Sequence, residues 1–347
     1  MLKENKPILA TMPGPDPLWN EYVEDYFPED KGSIRDLLHL FKLSTGRKVL
    51  MLNGSVGYRQ RYRDLIFAIL LKFKRPRIPV LIQDATWEPT SYALQERFPF
   101  LKKLLPIFAR FVISLIDGPN VKYAVLSTSE VKSFPKTWGV DASRVVFQPF
   151  PNTLHEYKNI ETRDEGYLFS GGNSVRDYKL LEDALEGTDV PAMIATNWKP
   201  KKPVANVNFE STTHDKFMRL LANSHAVVIP LRVTVRSAGQ QSYLNAMGLG
   251  KPVIVTDVPG VRDYVIHGVT GIIIPPSDPT AMREAILHVM NPENADFYEE
   301  MGKRAKEDVF NRFTEEHFRH GLLYHAGVIS REEFEKDKSP GSADSWL

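Results

Sequence analysis

Short apolar runs alternate with longer stretches of helical periodicity from one end of the chain to the other, a pattern that predicts an α/β architecture with parallel sheets. In the first half the runs predict strands at 8–11, 49–53, 78–83, 123–127 and 145–149. Helical periodicity fills the gaps near 33–43, 59–74, 98–117 and 130–138. A polar, weakly periodic run opening with Pro151 follows, and it reads as a linker over 151–165.

The alternation then restarts. Strands are predicted at 167–170, 192–196, 207–209, 226–230, 253–256 and 271–275. The helices between and after them read 177–185, 215–223, 239–249, 280–290 and one long stretch from 295 to about 326. The pattern therefore gives a first domain over 1–150, a linker, a second domain over 166–330 and a polar, flexible tail over 331–347. Two sheets of similar plan joined by a linker imply a ligand-binding cleft between them.

Composition fits two globular domains: 347 residues, 42% apolar and 25% charged. There is no cysteine, so disulfides, thiolate nucleophiles and thiolate metal sites are excluded, in keeping with a reducing, cytoplasmic setting. The net charge of +1 conceals a basic first part, +7 over residues 1–150, and an acidic remainder at −6. The two parts are expected to face different partners. The polar start, Met1-Leu-Lys-Glu-Asn-Lys, does not read as a secretory signal. The most apolar stretch, 98–116, is broken by Lys102, Lys103, Pro106 and Arg110 and does not read as a membrane span.

Several chemistries are struck off by motif. The chain has no phosphate loop of the Gly-x4-Gly-Lys-Ser/Thr type, no His-Glu-x-x-His, no Gly-x-Ser-x-Gly and no Asp-x-Asp. His317 and His320 lie one helical turn apart, but without an evident third ligand they read as a solvated surface pair, and no metal site is expected.

The informative stretch is Ser237-Ala-Gly-Gln-Gln-Ser-Tyr-Leu-Asn-Ala-Met-Gly-Leu-Gly-Lys-Pro-Val-Ile-Val-Thr-Asp257. Its helix crosses between two predicted parallel strands, so its amino end lies at their carboxyl ends. Free N–H groups and the helix dipole there favour an anion such as a diphosphate. Gly239 allows close approach to the backbone. Ser237, Gln240, Gln241 and Asn245 can supply hydrogen bonds at the same end.

This order, continued by Pro-Gly-Val-Arg-Asp-Tyr-Val-Ile-His-Gly-Val-Thr-Gly-Ile-Ile-Ile-Pro-Pro-Ser-Asp-Pro, resembles the donor half of the retaining glycosyltransferases of family 4, which have the GT-B fold. The resemblance covers about 165–325 and is only general over 1–150. It implies two Rossmann-like domains with parallel sheets facing a central cleft, and a nucleotide-sugar donor, UDP- or GDP-linked, as substrate without cofactor or metal. The family's paired glutamates, Glu-x7-Glu, are replaced here by Ser237 and Asn245. Asn245 can still bond ribose hydroxyls, although it is no acceptor-only anion.

Tyr167-Leu-Phe-Ser-Gly-Gly-Asn-Ser-Val-Arg-Asp-Tyr-Lys179 is a second element of that kind. By resemblance Arg176 and Lys179 stabilise the leaving diphosphate, while Gly171, Gly172 and Asn173 form the turn that meets the donor.

On the acceptor side, Asp84 ends a predicted strand, where it either orients or deprotonates a hydroxyl or merely caps a turn. Trp87 offers a face to a sugar ring or packs in the core, and Asn53, Gly54 and Tyr58 end a neighbouring strand as the next candidates. The apolar helix at 98–117 and the basic run 72–77 read either as a docking surface for an anionic membrane or as core with snorkelling cations.

With the resemblance, these residues lead to the expectation of a glycosyltransferase acting on a glycan or lipid-linked acceptor, cytoplasmic and in peripheral contact with the inner face of the membrane, with no nucleic-acid partner. The alternatives are a non-catalytic scaffold of the same fold and a nucleotide-sugar epimerase or phosphorylase.

Overall fold

The computed structural model describes residues 6–14, 16–28, 32–54, 62–89, 104–157, 159–200 and 204–336. The chain divides into two units, one running to Pro149 and resuming at Glu316, the other spanning Phe150–Glu315.

The first unit contains β1 (Ile8–Ala10), α1 (Pro17–Tyr22), β2 (Val23–Asp25), α2 (Ile34–Leu43), β3 (Val49–Asn53) and α3 (Arg63–Leu71). It continues with β4 (Val80–Gln83), α4 (Leu104–Ile116), β5 (Val121–Val125), α5 (Thr128–Trp138) and β6 (Val145–Phe147). Its six strands are parallel in the order β2-β1-β3-β4-β5-β6. Val-Leu-Met-Leu in β3 and Val-Leu-Ile in β4 are wholly buried, as parallel strands covered on both faces require. Ser33 and Ser127 start α2 and α5 by accepting from the N–H groups of Asp36 and Glu130. The short α1 and β2 have too few periodic positions to be legible, and they are absent from the expected elements.

The second unit contains β7 (Leu168–Gly171), α6 (Tyr178–Leu185), β8 (Ala192–Ala195), β9 (Val207–Glu210), α7 (His214–Asn223) and β10 (Ala226–Ile229). There follow α8 (Gln240–Gly248), β11 (Val253–Thr256), α9 (Val261–Tyr264), β12 (Ile272–Ile274), α10 (Pro279–Met290) and α11 (Ala295–Arg312). These six strands are also parallel, ordered β12-β11-β10-β7-β8-β9. Read from the β9 edge this is the dinucleotide-fold order 3-2-1-4-5-6, with the reversal between β7 and β10.

The expected single helix after 295 is two, α11 and α12 (Glu315–His325). They part where the buried Phe313 gives its carbonyl to both the N–H and the side-chain amide of Asn152, each at 2.7 Å. The boundary of the second domain moves accordingly. Leu322, Leu323 and Ile329 pack with Ile8, Ala10, Met12 and Trp19 of the first unit. The polar tail also begins later than its composition suggests: α13 (Arg331–Lys336) is helical, and Phe334 stacks on Tyr324. Residues 337–347 lie outside the described residues.

His320 is no surface histidine. It is 3% exposed, and its Nε2 meets Asp16 Oδ1 at 3.3 Å. With Glu316 these groups form a His/carboxylate cluster whose ligating atoms lie within 4.8 Å of one another.

Candidate functional site

In an open parallel sheet, ligands are held beyond the carboxyl ends of the strands where the order reverses. In the second unit that point lies between β7 and β10. The loops leaving the two strands are knitted together there: Arg176 bridges Leu231, Asp177 N–H donates to the Pro230 carbonyl at 2.8 Å, and Arg232 N–H donates to that of Val175 at 3.1 Å. Val175 takes φ +57°, a backbone conformation rare for a β-branched side chain, so the surrounding bonds hold the loop against strain.

Arg176 is half-buried at this point. Its Nε donates to the Gly171 carbonyl at 2.9 Å, Nη1 to the Ser174 carbonyl at 2.8 Å and Nη2 to Ser242 Oγ at 2.8 Å. All three acceptors are neutral, and among the described residues no carboxylate pairs with it. Burial, and to a smaller extent the nearby Arg236, push its pKa down. Arg236 reaches the same turn, Nη2 donating to Ser174 Oγ at 3.1 Å and Nη1 to the Ser237 carbonyl at 3.1 Å. This second guanidinium is absent from the site residues expected from the sequence. Its signal was there to read: Arg-Val-Thr-Val-Arg, an acid-free strand-to-helix loop, directly precedes Ser237.

Ser242 belongs to the first turn of α8. Asp177, Thr213 and Asp278 cap their helices with side-chain oxygens, whereas Gly239 has none to give α8. Gly239 sits at φ +86°, and an added Cβ would lie 3.2 Å from Leu231 Cδ1, so glycine suits the position for two reasons. Gln240 is buried in the same turn, its Nε2 without a partner among the described residues. The start of α8 thus combines a positive dipole end, two guanidinium groups and a buried unpaired amide donor.

Other expected site residues do different work. Asn245 is 2% exposed and grips Thr153: Oδ1 accepts its N–H at 2.9 Å, and Nδ2 donates to its hydroxyl at 2.8 Å. That corrects the expectation of a ribose contact, because the amide is already committed to bracing residues 152–154. Gln241 adds a weaker bond to the same hydroxyl, 3.3 Å, and Ser237 is buried. The space over the two glycines is also taken. A Cβ on Gly171 would fall 2.3 Å from the Phe217 ring, and one on Gly172 would fall 3.0 Å from Arg176 Nη2. Lys179 is exposed on α6 and pairs with Asp183 and Glu182 of its own helix.

Asn173 faces solvent and ties two loops, its Oδ1 accepting from Thr196 Oγ1 at 2.9 Å and Asn197 N–H at 2.8 Å. Beside it, Gly172, Thr196, Asn197, Ser211, Thr212 and Phe217 line a cavity of about 240 Å³ at the carboxyl ends of β7, β8 and β9. Whole small-molecule sites span about 300–1,000 Å³, so this one fits a single ring of a larger ligand.

In the first unit Asp84 follows β4 at φ +54°, half-buried, and accepts from Thr86 Oγ1 at 3.1 Å. Asn53 ends β3, and its N–H donates to Asp64 Oδ2 at 2.7 Å. Gly54 is required by packing, since a Cβ there would lie 2.8 Å from the Gln83 carbonyl. Trp87 is 5% exposed among Tyr123, Phe134 and Trp138, and its Nε1 donates to the Gly54 carbonyl at 2.6 Å. The core reading of Trp87 holds and the sugar-platform reading does not. Tyr58 lies outside the described residues.

Residues 189–292, which include the α8 turn, match the family model described as glycosyl transferases group 1. The chain is similar to D-rhamnosyltransferase WbpZ of Pseudomonas aeruginosa, 31% identical over 236 residues that cover 62% of this chain and 60% of that protein. By structure it is similar to Anabaena Alr3699/HepE in complex with UDP-glucose, with a TM-score of 0.62, 13% identity, and 90% and 88% of the two chains covered. It is also similar to sucrose-phosphate synthase from Thermosynechococcus elongatus, with a TM-score of 0.60, 15% identity, and 86% and 77% covered. The resemblance to group 1 glycosyltransferases is thus a finding of sequence, and the GT-B fold one of structure. Among the described residues no helix is long and apolar enough to cross a membrane.

Proposed function

We propose that this chain is a glycosyltransferase whose second unit binds a nucleoside-diphosphate sugar and whose first unit takes a glycan or lipid-linked acceptor. The reading is supported most by one observation: Arg176, with no carboxylate partner among the described residues, meets Arg236 at the uncapped start of α8. A diphosphate there would satisfy the charge that burial disfavours and accept from the free end of the helix. The cavity lined by Gly172, Thr196 and Ser211 takes the base. The relatives named above include a rhamnosyltransferase and a UDP-glucose complex, which agrees with such a donor.

In this mechanism the guanidinium groups stabilise charge building on the departing diphosphate, the role a divalent cation plays in other transferases. The reaction is metal-independent and retaining, the leaving group assists proton removal, and Asp84 orients the acceptor hydroxyl. The donor enters as substrate and no cofactor is held. The protein works in the cytoplasm, in peripheral contact with a membrane.

A second reading has an observation of its own. Both positions of the family's acidic pair are filled by buried neutral side chains, Ser237 and Asn245, the latter committed to Thr153. That suits a donor-binding subunit without turnover. Calorimetric titration with UDP, GDP and their sugars, followed by transfer and hydrolysis assays, separates the two. Binding with turnover supports the enzyme and binding alone supports the subunit, while no binding removes both.

A further inference from the structure

The outward face of α4 is more apolar than a solvated helix allows. Leu104, Ile107, Phe108, Phe111 and Leu115 fall at i, i+3, i+4, i+7 and i+11, one continuous stripe, and Ile107 and Phe108 are 66% and 65% exposed. The stripe is not the core-facing one, because Ile113 and Ile116 of the same helix point into the hydrophobic core with Val121 and Tyr123. Next to it lies the end of α3, joined to α4 by Lys72 Nζ, which donates to the Ser114 carbonyl at 3.1 Å. There Ile66, Leu70 and Phe73 repeat at i, i+4 and i+7, with Phe73 80% exposed. Single exposed apolar side chains are ordinary, but two adjoining helical stripes of them mark an interaction surface.

Among the described residues of 62–77 and α4, the exposed charges are of one sign. Arg75, Arg77 and Arg110 are exposed and Lys72 is half-buried. α4 carries no acidic residue, and the one carboxylate in 62–77, Asp64, is buried and bonded to Arg63 at 2.7 Å. Residues 1–150 as a whole carry a balance of +7. Aromatic and aliphatic side chains on exposed helix faces, with cations and no exposed carboxylate among the described residues of 62–77 and α4, complement an acyl boundary beneath anionic headgroups.

We infer that the face formed by α3 and α4 docks on an anionic lipid surface, with Phe108, Phe111 and Phe73 entering the headgroup boundary and Arg75, Arg77 and Arg110 meeting lipid phosphates. This names the surface behind the peripheral membrane contact included in the reading above. Its test needs neither donor nor turnover, so its failure and that of the donor assignment are told apart.

The full chain is sedimented with sucrose-loaded vesicles of phosphatidylcholine alone and of phosphatidylcholine mixed with phosphatidylglycerol. The expected result is binding to the mixed vesicles at least about tenfold tighter than to the neutral ones, weakening as salt is raised. The double variants Phe108→Ser/Phe111→Ser and Arg75→Glu/Arg77→Glu alter exposed side chains only. Each should lose about tenfold or more in binding while keeping the wild-type melting temperature. No binding to mixed vesicles, equal binding to both kinds, or binding untouched by both variants overturns the proposal. So does reversible self-association that disappears in Phe108→Ser/Phe111→Ser, which would make the face an interface between copies of this chain.

Discussion

Asn245 holds Thr153 by both ends of its side chain, Oδ1 to the threonine N–H at 2.9 Å and Nδ2 to its hydroxyl at 2.8 Å. The position where resemblance implies a ribose-binding carboxylate is here a brace between α8 and the chain just after Pro151. Leu154, next in sequence, packs against the same helix; a Cβ on Gly248 would lie 2.5 Å from its Cδ1. Replacing Asn245 with leucine strips the Thr153 N–H of its acceptor, at a cost of about 1–3 kcal/mol for an unsatisfied buried donor. The expected outcome is a lowered denaturation midpoint with UDP affinity changed by less than the stability. A large, selective loss of UDP affinity at unchanged stability would return Asn245 to the ligand.

Arg176 is expected to behave differently. Its substitution by alanine removes a charge-assisted bond to phosphate, so UDP or GDP should bind about tenfold or more weakly in calorimetry while free uridine or guanosine changes little. If the chain turns over, the loss in kcat/KM should reach about 2–4 kcal/mol, since charge grows on the diphosphate in the transition state. Arg176→Lys should recover only part, because one ammonium cannot reproduce the fork that reaches Gly171, Ser174 and Ser242 together. Arg236→Ala should show the same pattern, less steeply. Equal weakening of nucleoside and nucleotide would place both groups outside the phosphate site.

The α/β plan was legible because β10 and β11 of the second sheet, like β3 and β4 of the first, are short, largely apolar runs buried on both faces. α1 and β2 were not, being too short to show a period. The α11–α12 break was hidden as well, because Phe313 fits a helical stripe and its departure depends on Asn152, far back in the chain. For the site, the α8 turn and Arg176 could be read from glycine, dipole and cation placement. What Trp87, Asn245, Gly171 and Gly172 touch could not: each is apt for a ligand by type, and only packing reveals that Tyr123, Thr153, Phe217 and Arg176 reach them first. Arg236 was missed for the opposite reason, since a cation in a loop is ordinarily solvated.

Gly302→Ala tests whether α11 fixes the position of α8. Alanine in a helix interior ordinarily stabilises by about 1 kcal/mol over glycine. Here the added Cβ would sit 2.2 Å from the Gly250 carbonyl oxygen, a backbone atom that can give way only if the turn after α8 shifts. The sign should reverse: about 2 kcal/mol or more of destabilisation, as for overpacked cores. A second effect, weaker UDP binding, is expected as the start of α8 moves with its end. A variant more stable than the parent would show that the two helices are held less closely than this geometry requires.

The acid limb of stability should carry a contribution from His325. Burial, aided by Lys122, pushes its pKa down to about 4 against the bond its Nε2 makes to the Phe147 carbonyl at 3.1 Å. The imidazole is therefore neutral in the folded first unit and titrates near its ordinary 6.5 when unfolded. Between those values the unfolded chain holds a proton that the folded one lacks, so stability falls as pH drops from about 6.5 towards 4 and gains nothing more above 7. At about 1.4 kcal/mol per pH unit the full window would give about 3 kcal/mol, and the ring's residual solvent contact reduces this to about 1–2. His325→Gln keeps a donor for the Phe147 carbonyl and removes the titration. Other carboxylates titrate in the same range in both proteins, so the difference between the two curves isolates the histidine. Hydrogen exchange of the α12 amides, followed between pH 7 and about 4, should show protection falling faster in the parent chain than in the variant. Parallel curves would mean that the imidazole stays solvated and its proton affinity ordinary.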